Sequence, residues 1–375
     1  MRVGILAGMF LGGMAAATVH GAEEVVGNAF FRDAPSHRMV LVAKDMRSAY
    51  LVEAEDDRPR VVRRFGRILL GANPGDKRVE GDKRTPEGVY YVQRYLPEPS
   101  LAPRYGAGAF PLNYPNIVDR IRDKTGYGIW LHGVDEEDED KTDTKGCVAF
   151  DNTNLEILKE ALDIGTPVVI TEKPDLLSPT RYEQRRAELL DWFDRFLEAR
   201  DSGDPATLEP LIHPDFRNDR GEDAEAYLRR IERLATAHSK RRTDIDEVRV
   251  YKENGRRVVY DFERFRCAPE GMDFGRQRLY FTEGESGSPR LLAAEHLERP
   301  AGPEILRRVK AFLKEREAGS PENLWVRRMR PDRYLVGYDR SSPGENGKPR
   351  GMETLRLAGC PGNFRVASVG WEPMP

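Results

Sequence analysis

Three observations predict an α+β protein of several domains: a β-rich domain, then an α+β cone, then a second partial α+β repeat. The chain has 375 residues, where one domain usually takes about 100 to 200. Short β-rich runs between polar turns dominate residues 38–172, and a Pro- and Ser-containing stretch at 173–181 separates them from long amphipathic helical periods. From Pro303 onwards a helix followed by strands appears again, over 303–375. With 39% hydrophobic and 33% charged residues, the sequence supports cores of ordinary size. The 60 basic and 63 acidic side chains give a net charge of -3, so no overall bias draws the protein to nucleic acid or anionic lipid.

The first 22 residues stand apart. Arg2, the uncharged run 3–17 and the small residues Gly21 and Ala22 ahead of Glu23 have the form of a secretory signal peptide. A spanning helix needs about 20 apolar residues, and no later segment offers them. The sequence therefore predicts export to the periplasm or cell envelope, with no stable membrane span after signal cleavage; a retained anchor is the alternative. Residues 23–37 form an N-terminal segment. Strands are expected at 38–44, 48–55, 58–65, 88–93, 128–131 and 167–171, with a helix over 154–162 capped by Asn152 or Thr153. Beyond the linker, helices at 182–198, 205–212 and 222–237 precede strands at 246–251, 257–265, 277–282 and 291–297, so the cone occupies 182–299. The last block reads as a helix at 303–317 and strands at 324–328, 333–338, 353–357 and 364–371. Val259-Tyr260-Asp261 matches Gly337-Tyr338-Asp339, and Gly275 matches Gly351, which points to a duplicated half-module.

Three cysteines in an exported chain leave one over. Cys147 stands in Thr144-Lys145-Gly146-Cys147-Val148 and is read as free; Cys267 and Cys360 are either bridged or two unpaired buried thiols. The run Gly128-Ile129-Trp130-Leu131-His132-Gly133 reads as a strand delivering His132 into a glycine turn, and 14 residues separate His132 from Cys147. A thiol is mostly protonated at neutral pH, and an imidazole within reach would take its proton. A helix starting just beyond Cys147 would depress the thiol pKa, and Gly146 would leave backbone N–H groups open to a developing oxyanion. By themselves, one His and one Cys are more often core residues than catalysts. Trp130 reads as core, and Tyr114, in a Pro-flanked loop, as a residue of the substrate cleft. Lys145, Arg120 and Arg122 are either carboxylate partners or solvated charges. The run from Asp135 to Asp140 lacks the spacing of a calcium loop, so no metal is expected; it is a solvated loop or an acidic lid.

These residues resemble the L,D-transpeptidase catalytic domain, the YkuD family, in its YafK-like branch. That family's signature is His-Gly, a loop, then Ser or Thr, a variable residue and Gly-Cys. It stands here as His132-Gly133 and Thr144-Lys145-Gly146-Cys147. Upstream, Gly71-Ala72-Asn73-Pro74-Gly75-Asp76-Lys77, Gly81-Asp82-Lys83-Arg84-Thr85-Pro86-Glu87-Gly88-Val89-Tyr90 and Phe110-Pro111-Leu112-Asn113-Tyr114-Pro115-Asn116 follow in the order the branch uses. The resemblance implies a peptidoglycan enzyme, free of cofactors, that acts on stem peptides at the L-centre of the diamino acid. Cys147 would attack that carbonyl, expel D-Ala and form a thioester, with His132 as general base and Gly133 orienting the imidazole. Thr144, Lys145 and Gly146 would join Tyr114 in substrate binding. An amine acceptor gives transpeptidation and water gives carboxypeptidation. Many relatives carry His two residues before the cysteine and Arg or Asn two after it; Lys145 and Ala149 stand there instead, which leaves the acceptor open.

Residues 182–299 resemble the NTF2-like, or SnoaL-like, fold through the helix around Trp192 and Phe196 and through Leu211-Ile212-His213-Pro214-Asp215-Phe216, with His213 read as a turn residue. The combination is similar to cell-shape-determining L,D-carboxypeptidases, whose N-terminal dimerisation region has little room in residues 23–37. The C-terminal blocks are read as docking a glycan or protein ligand. Two further functions stay open, a hydrolase detaching wall-linked lipoprotein and a non-catalytic cell-wall-binding scaffold. Keeping both His132 and Cys147 disfavours the scaffold, because binding alone needs no thiolate.

Overall fold

The computed structural model describes residues 25–34, 37–135, 141–237, 242–253, 257–268, 271–283, 289–299, 302–315, 322–330, 333–340, 351–358 and 364–373. The expected signal peptide, the acidic run beyond Asp135 and the proposed Cys267–Cys360 bridge lie outside what is described. Val25–Val26 (β1) and Ala29–Arg32 (β2) open the chain. Next come Arg38–Ala43 (β3), Ser48–Glu55 (β4), Arg58–Phe65 (β5), Gly88–Tyr91 (β6), Leu96–Pro97 (β7), Gly108–Pro111 (β8), the helix Ile117–Ile121 (α1), Trp130–His132 (β9), Val148–Ala149 (β10), the helix Asn152–Ala161 (α2) and Pro167–Thr171 (β11). One sheet has the order β5-β4-β3-β11-β6 and a second has β10-β9-β8-β7.

The apolar runs of β3 and β11 are buried on both faces, as expected for strands in a middle layer. Alternation sends Val40 and Val42 to one side, into a core shared with Phe110, Leu131, Val148, Leu155 and Leu158. It sends Met39 and Leu41 to the other side, against Tyr251, Val259, Tyr280 and Leu292. Those four belong to the second domain. After Leu176–Leu177 (β12) it comprises helices Pro179–Ser202 (α3), Pro205–Leu208 (α4) and Ala224–Ala237 (α5), with strands Ile212–Asn218 (β13), Arg242–Glu253 (β14), Arg257–Ala268 (β15), Gly271–Glu283 (β16) and Pro289–Glu298 (β17). Helix α3 begins where Ser178 caps the amide of Arg181 and Pro179 fits the first turn; it stops at Gly203, φ 68°. Phe193 and Phe196 of α3 pack on Tyr260 and Phe281 of the sheet.

The N-terminal segment is part of this second domain. Its sheet has the order β13-β17-β16-β15-β14-β2, so the chain starts on the second domain's edge, runs through the first domain and returns. Asn28 donates to the carbonyl of Lys252 and accepts from the amide of Asp175, closing the strap. His213 lies on edge strand β13, not in a turn, and its Nδ1 accepts from the amide of Asp215 at 3.1 Å. The single helix expected at 205–212 ends at Leu208, because Pro210 has no N–H to continue it and a short 3₁₀ turn follows. Gly302–Glu315 (α6) leads to Glu322–Arg330 (β18), Arg333–Arg340 (β19), Gly351–Ala358 (β20) and Arg365–Pro373 (β21), a sheet in sequential order that repeats the meander of β14 to β17.

Polar groups cross the seam between the domains. His37 Nε2 is 2.5 Å from the Tyr251 hydroxyl, and buried Asp261 lies 2.8 Å from Arg276 and 3.1 Å from Arg278. The Arg278 guanidinium sits 3.2 Å from the ring centroid of Tyr91. Burial pushes the Asp261 carboxyl up, yet Arg276, Arg278 and Arg249 together hold it below the ordinary range. Among the described residues, no helix is long and apolar enough to cross a membrane.

Candidate active site

Strand β9 pairs in parallel with β10, Leu131 opposite Val148 and His132 opposite Ala149. Leu131 and Val148 enter the core, so their neighbours face away from it. Cys147, two residues before Ala149, therefore projects on the face that carries His132. The half-buried thiol donates to the carbonyl of Gly128 at 3.4 Å, and among the described residues no hydrogen bond joins it to the imidazole. Burial pushes the Cys147 thiol above its ordinary pKa. This corrects the expectation of a depressed thiol. Strand β10 intervenes before α2, and Asp151 caps that helix by accepting from the amide of Asn154.

His132 is 3% exposed, and its Nδ1 lies 2.5 Å from the carbonyl oxygen of Gly133. A carbonyl only accepts, so Nδ1 carries the hydrogen and Nε2 is left as the ring's acceptor. Burial lowers the imidazole to about 4; the Gly133 bond opposes it, and Lys141 and Arg104 add smaller lowering contributions. At neutral pH the site thus holds a neutral thiol and a neutral base.

The turn before Cys147 is held by Thr144. Its hydroxyl donates to the carbonyl of Cys147 at 2.8 Å and accepts from the amide of Gly146 at 3.0 Å. Thr144 is buried, so it shapes the turn and does not line a cleft, and Gly146 spends its N–H on this clamp. Gly146 has φ 135°, and a Cβ there would lie 2.8 Å from the carbonyl of Arg84. Lys145 is exposed. Arg120 is also exposed and donates to the carbonyl of Pro115.

Tyr114 and Trp130 both differ in burial from what the sequence suggests. Tyr114 is 5% exposed, packs edge-on to Tyr90 and donates to the carbonyl of Thr125 at 3.1 Å, which makes it a core residue. Trp130 is half-buried on the face of His132, because Leu131 between them takes the core side. The ring of Tyr105 bridges the two, with centroids 4.7 Å from Trp130 and 5.1 Å from His132. The sequence reading missed Tyr105.

It also missed the position of Asn152. The Asn152 Oδ1 accepts from the amides of Ala107 at 3.0 Å and Val134 at 3.2 Å, tying together the two backbone segments that flank His132. A Cβ on Gly133 would fall 2.2 Å from that same oxygen, so the glycine after the histidine is needed to admit the asparagine. Among the described residues, no group of His, Cys, Asp and Glu is arranged to hold a metal ion.

The family model for the L,D-transpeptidase catalytic domain, YkuD, matches residues 37–170. Residues 37–170 belong to that L,D-transpeptidase family. Among solved structures, Bd1075 of Bdellovibrio bacteriovorus superposes with a TM-score of 0.66 at 20% identity, over 74% of this chain and 99% of that one. The helical cell shape determining protein Pgp2 of Campylobacter jejuni gives 0.59 at 24% identity, over 72% of this chain and 95% of that one. At these identities the likeness is one of fold, and it extends well beyond the L,D-transpeptidase domain. A search of curated proteins matches none.

Proposed function

We propose that this L,D-transpeptidase domain is an exported cysteine acyltransferase of peptidoglycan stem peptides in the cell envelope, with Cys147 as nucleophile and His132 as general base. One observation carries the reading. Supporting it, Leu131 and Val148 pair and enter the core, so His132 and Cys147, each next to one of them, fall on the opposite side, with Nδ1 engaged by Gly133 and Nε2 left to accept a proton. Cys147 passes its proton to Nε2 as the sulfur attacks the carbonyl of the L-centre in the diamino acid. The tetrahedral adduct collapses, the C–N bond breaks, and the imidazolium returns the proton to the departing D-Ala nitrogen. A thioester remains. Water or an amine then attacks it, with His132 taking the proton from the acceptor and giving it back to the sulfur. Because the resting pair is neutral, the ion pair forms only with substrate in place, and the cations Lys141 and Arg104 favour the thiolate.

Purified mature protein incubated with tetrapeptide muropeptides is expected to yield tripeptides if water is the acceptor and cross-linked dimers if an amine is. Cys147→Ala is expected to abolish both while keeping the fold. No product from the wild-type protein would instead support the scaffold reading. The second domain, read as NTF2-like, and the final half-module are proposed to dock a glycan or protein ligand.

A further inference from the structure

The position two residues after Cys147 is Ala149, uncharged and fully buried on β10. Within the sheet His132 is flanked by Ala109 on β8 and Ala149 on β10, neither charged. Lys77 is locked on Asp82 at 2.8 Å. Against the imidazole packs Tyr105, the last residue of the 3₁₀ turn Pro103–Tyr105. The Tyr105 ring packs edge-on to His132 at 5.1 Å and 88°, and the exposed Arg104 guanidinium lies 4.9 Å from the centroid of the same ring. Among the described residues no acid pairs with Arg104; its one hydrogen bond runs to the Tyr105 hydroxyl at 3.4 Å. Both His132 and Cys147 feel its charge, after that of Lys141.

We infer that Arg104, carried over the base by Tyr105, binds the free carboxylate of the amino acid to be expelled, and so restricts the site to stem peptides that end at that residue. This rests on the acyl-transfer reading above. His132 must come within about 3 Å of the departing nitrogen to protonate it. In an amino acid the carboxylate carbon is two bonds from that nitrogen, so the negative charge arrives beside the imidazole, where the guanidinium fork offers paired donors. A peptide whose D-Ala is amide-linked to a neighbouring stem carries no such charge and loses the contact.

Wild-type protein, Arg104→Ala, Arg104→Lys and Lys141→Ala are assayed on a disaccharide tetrapeptide and on the same compound with its terminal carboxylate capped as an amide. The wild type is expected to favour the free carboxylate by about 10- to 100-fold in kcat/KM. Arg104→Ala is expected to lose that preference chiefly through KM, with Arg104→Lys in between. Equal turnover of both compounds by the wild type, an undiminished preference in Arg104→Ala, or a loss confined to Lys141→Ala each overturns the assignment while leaving acyl transfer standing. A wild-type protein that cleaves neither compound overturns the acyl-transfer reading and this one with it. Arg104 is exposed, and circular dichroism of Arg104→Ala checks that the loss is not one of folding.

Discussion

Two histidines in this chain are held neutral at ordinary pH, and they have different neighbours. His132 is lowered to about 4 and His37 to about 3, in both cases first by burial, with nearby cations adding to it. His37 sits among the charged groups of the seam. Its Nε2 meets Tyr251, and the arginines nearby are matched by Asp261 and Glu247. His132 likewise has one nitrogen engaged, Nδ1, but it lies on the same side of its sheet as a thiol that can part with its proton. A depressed pKa therefore does not mark a catalyst. The mark is a ring nitrogen still owed a proton beside a group that can supply one.

The contrast is broken most sharply by substituting both. His132→Gln is expected to cost about a thousandfold or more in kcat/KM on tetrapeptide muropeptides, whereas His37→Gln retains turnover per folded molecule and weakens unfolding stability by roughly 1–3 kcal/mol, as the Tyr251 hydroxyl loses its partner. Equal losses of turnover in the two variants would remove the distinction. Next in size, Asp261→Asn removes the carboxylate that Arg276 and Arg278 share, leaving them the longer pairings with Glu247 at 3.4 Å and Glu295 at 4.0 Å, and is expected to cost about 3–5 kcal/mol in urea unfolding, with kcat of the folded fraction intact. A variant as stable as the wild type would show that the seam does not need its charge.

Asn152→Ala sharpens the other side of the comparison. It frees the amides of Ala107 and Val134 without touching His132, and a loss of about 10- to 100-fold in kcat is expected, largely restored in Asn152→Asp, which keeps the acceptor oxygen. An Asn152→Ala enzyme with unchanged kcat would reduce the residue to a loop tie. The smallest effect is in pH. Both histidines bind fewer protons folded than unfolded between their lowered values and the ordinary 6.5, so their contribution to stability is complete above 6.5 and is lost as pH falls toward 4 and then 3. The unfolding midpoint should decline over that window, and less steeply in His37→Gln. The acid limb of kcat/KM should sit near pH 4 and not 6.5.

Much of this was legible in the sequence where the determinants are local. Strands β4, β5 and β11 begin and end where their alternating or β-branched runs predicted, and the His132-Gly133 and Thr144 to Cys147 motifs fall on adjacent strands. What escaped depends on partners distant in sequence. Asn152 looked like a helix cap, but its oxygen serves amides 45 and 18 residues away, and Asp151 caps α2 in its place. Trp130 was mistaken for core, although Leu131 beside it already held the inward position. Strand β2 gave no sign that it belonged to the second domain, because its partner β14 is encoded far downstream.

The opening strap has a consequence for how the molecule is made. Asn28 contacts Lys252 across 224 residues of chain, so during synthesis the first strand emerges long before anything exists for it to pair with. Loop closure on that scale is slow, and an unpaired apolar strand invites association with other chains in the meantime. The β2–β14 edge of the six-stranded sheet can close only after β14 has been made, so the first strands wait on the second domain.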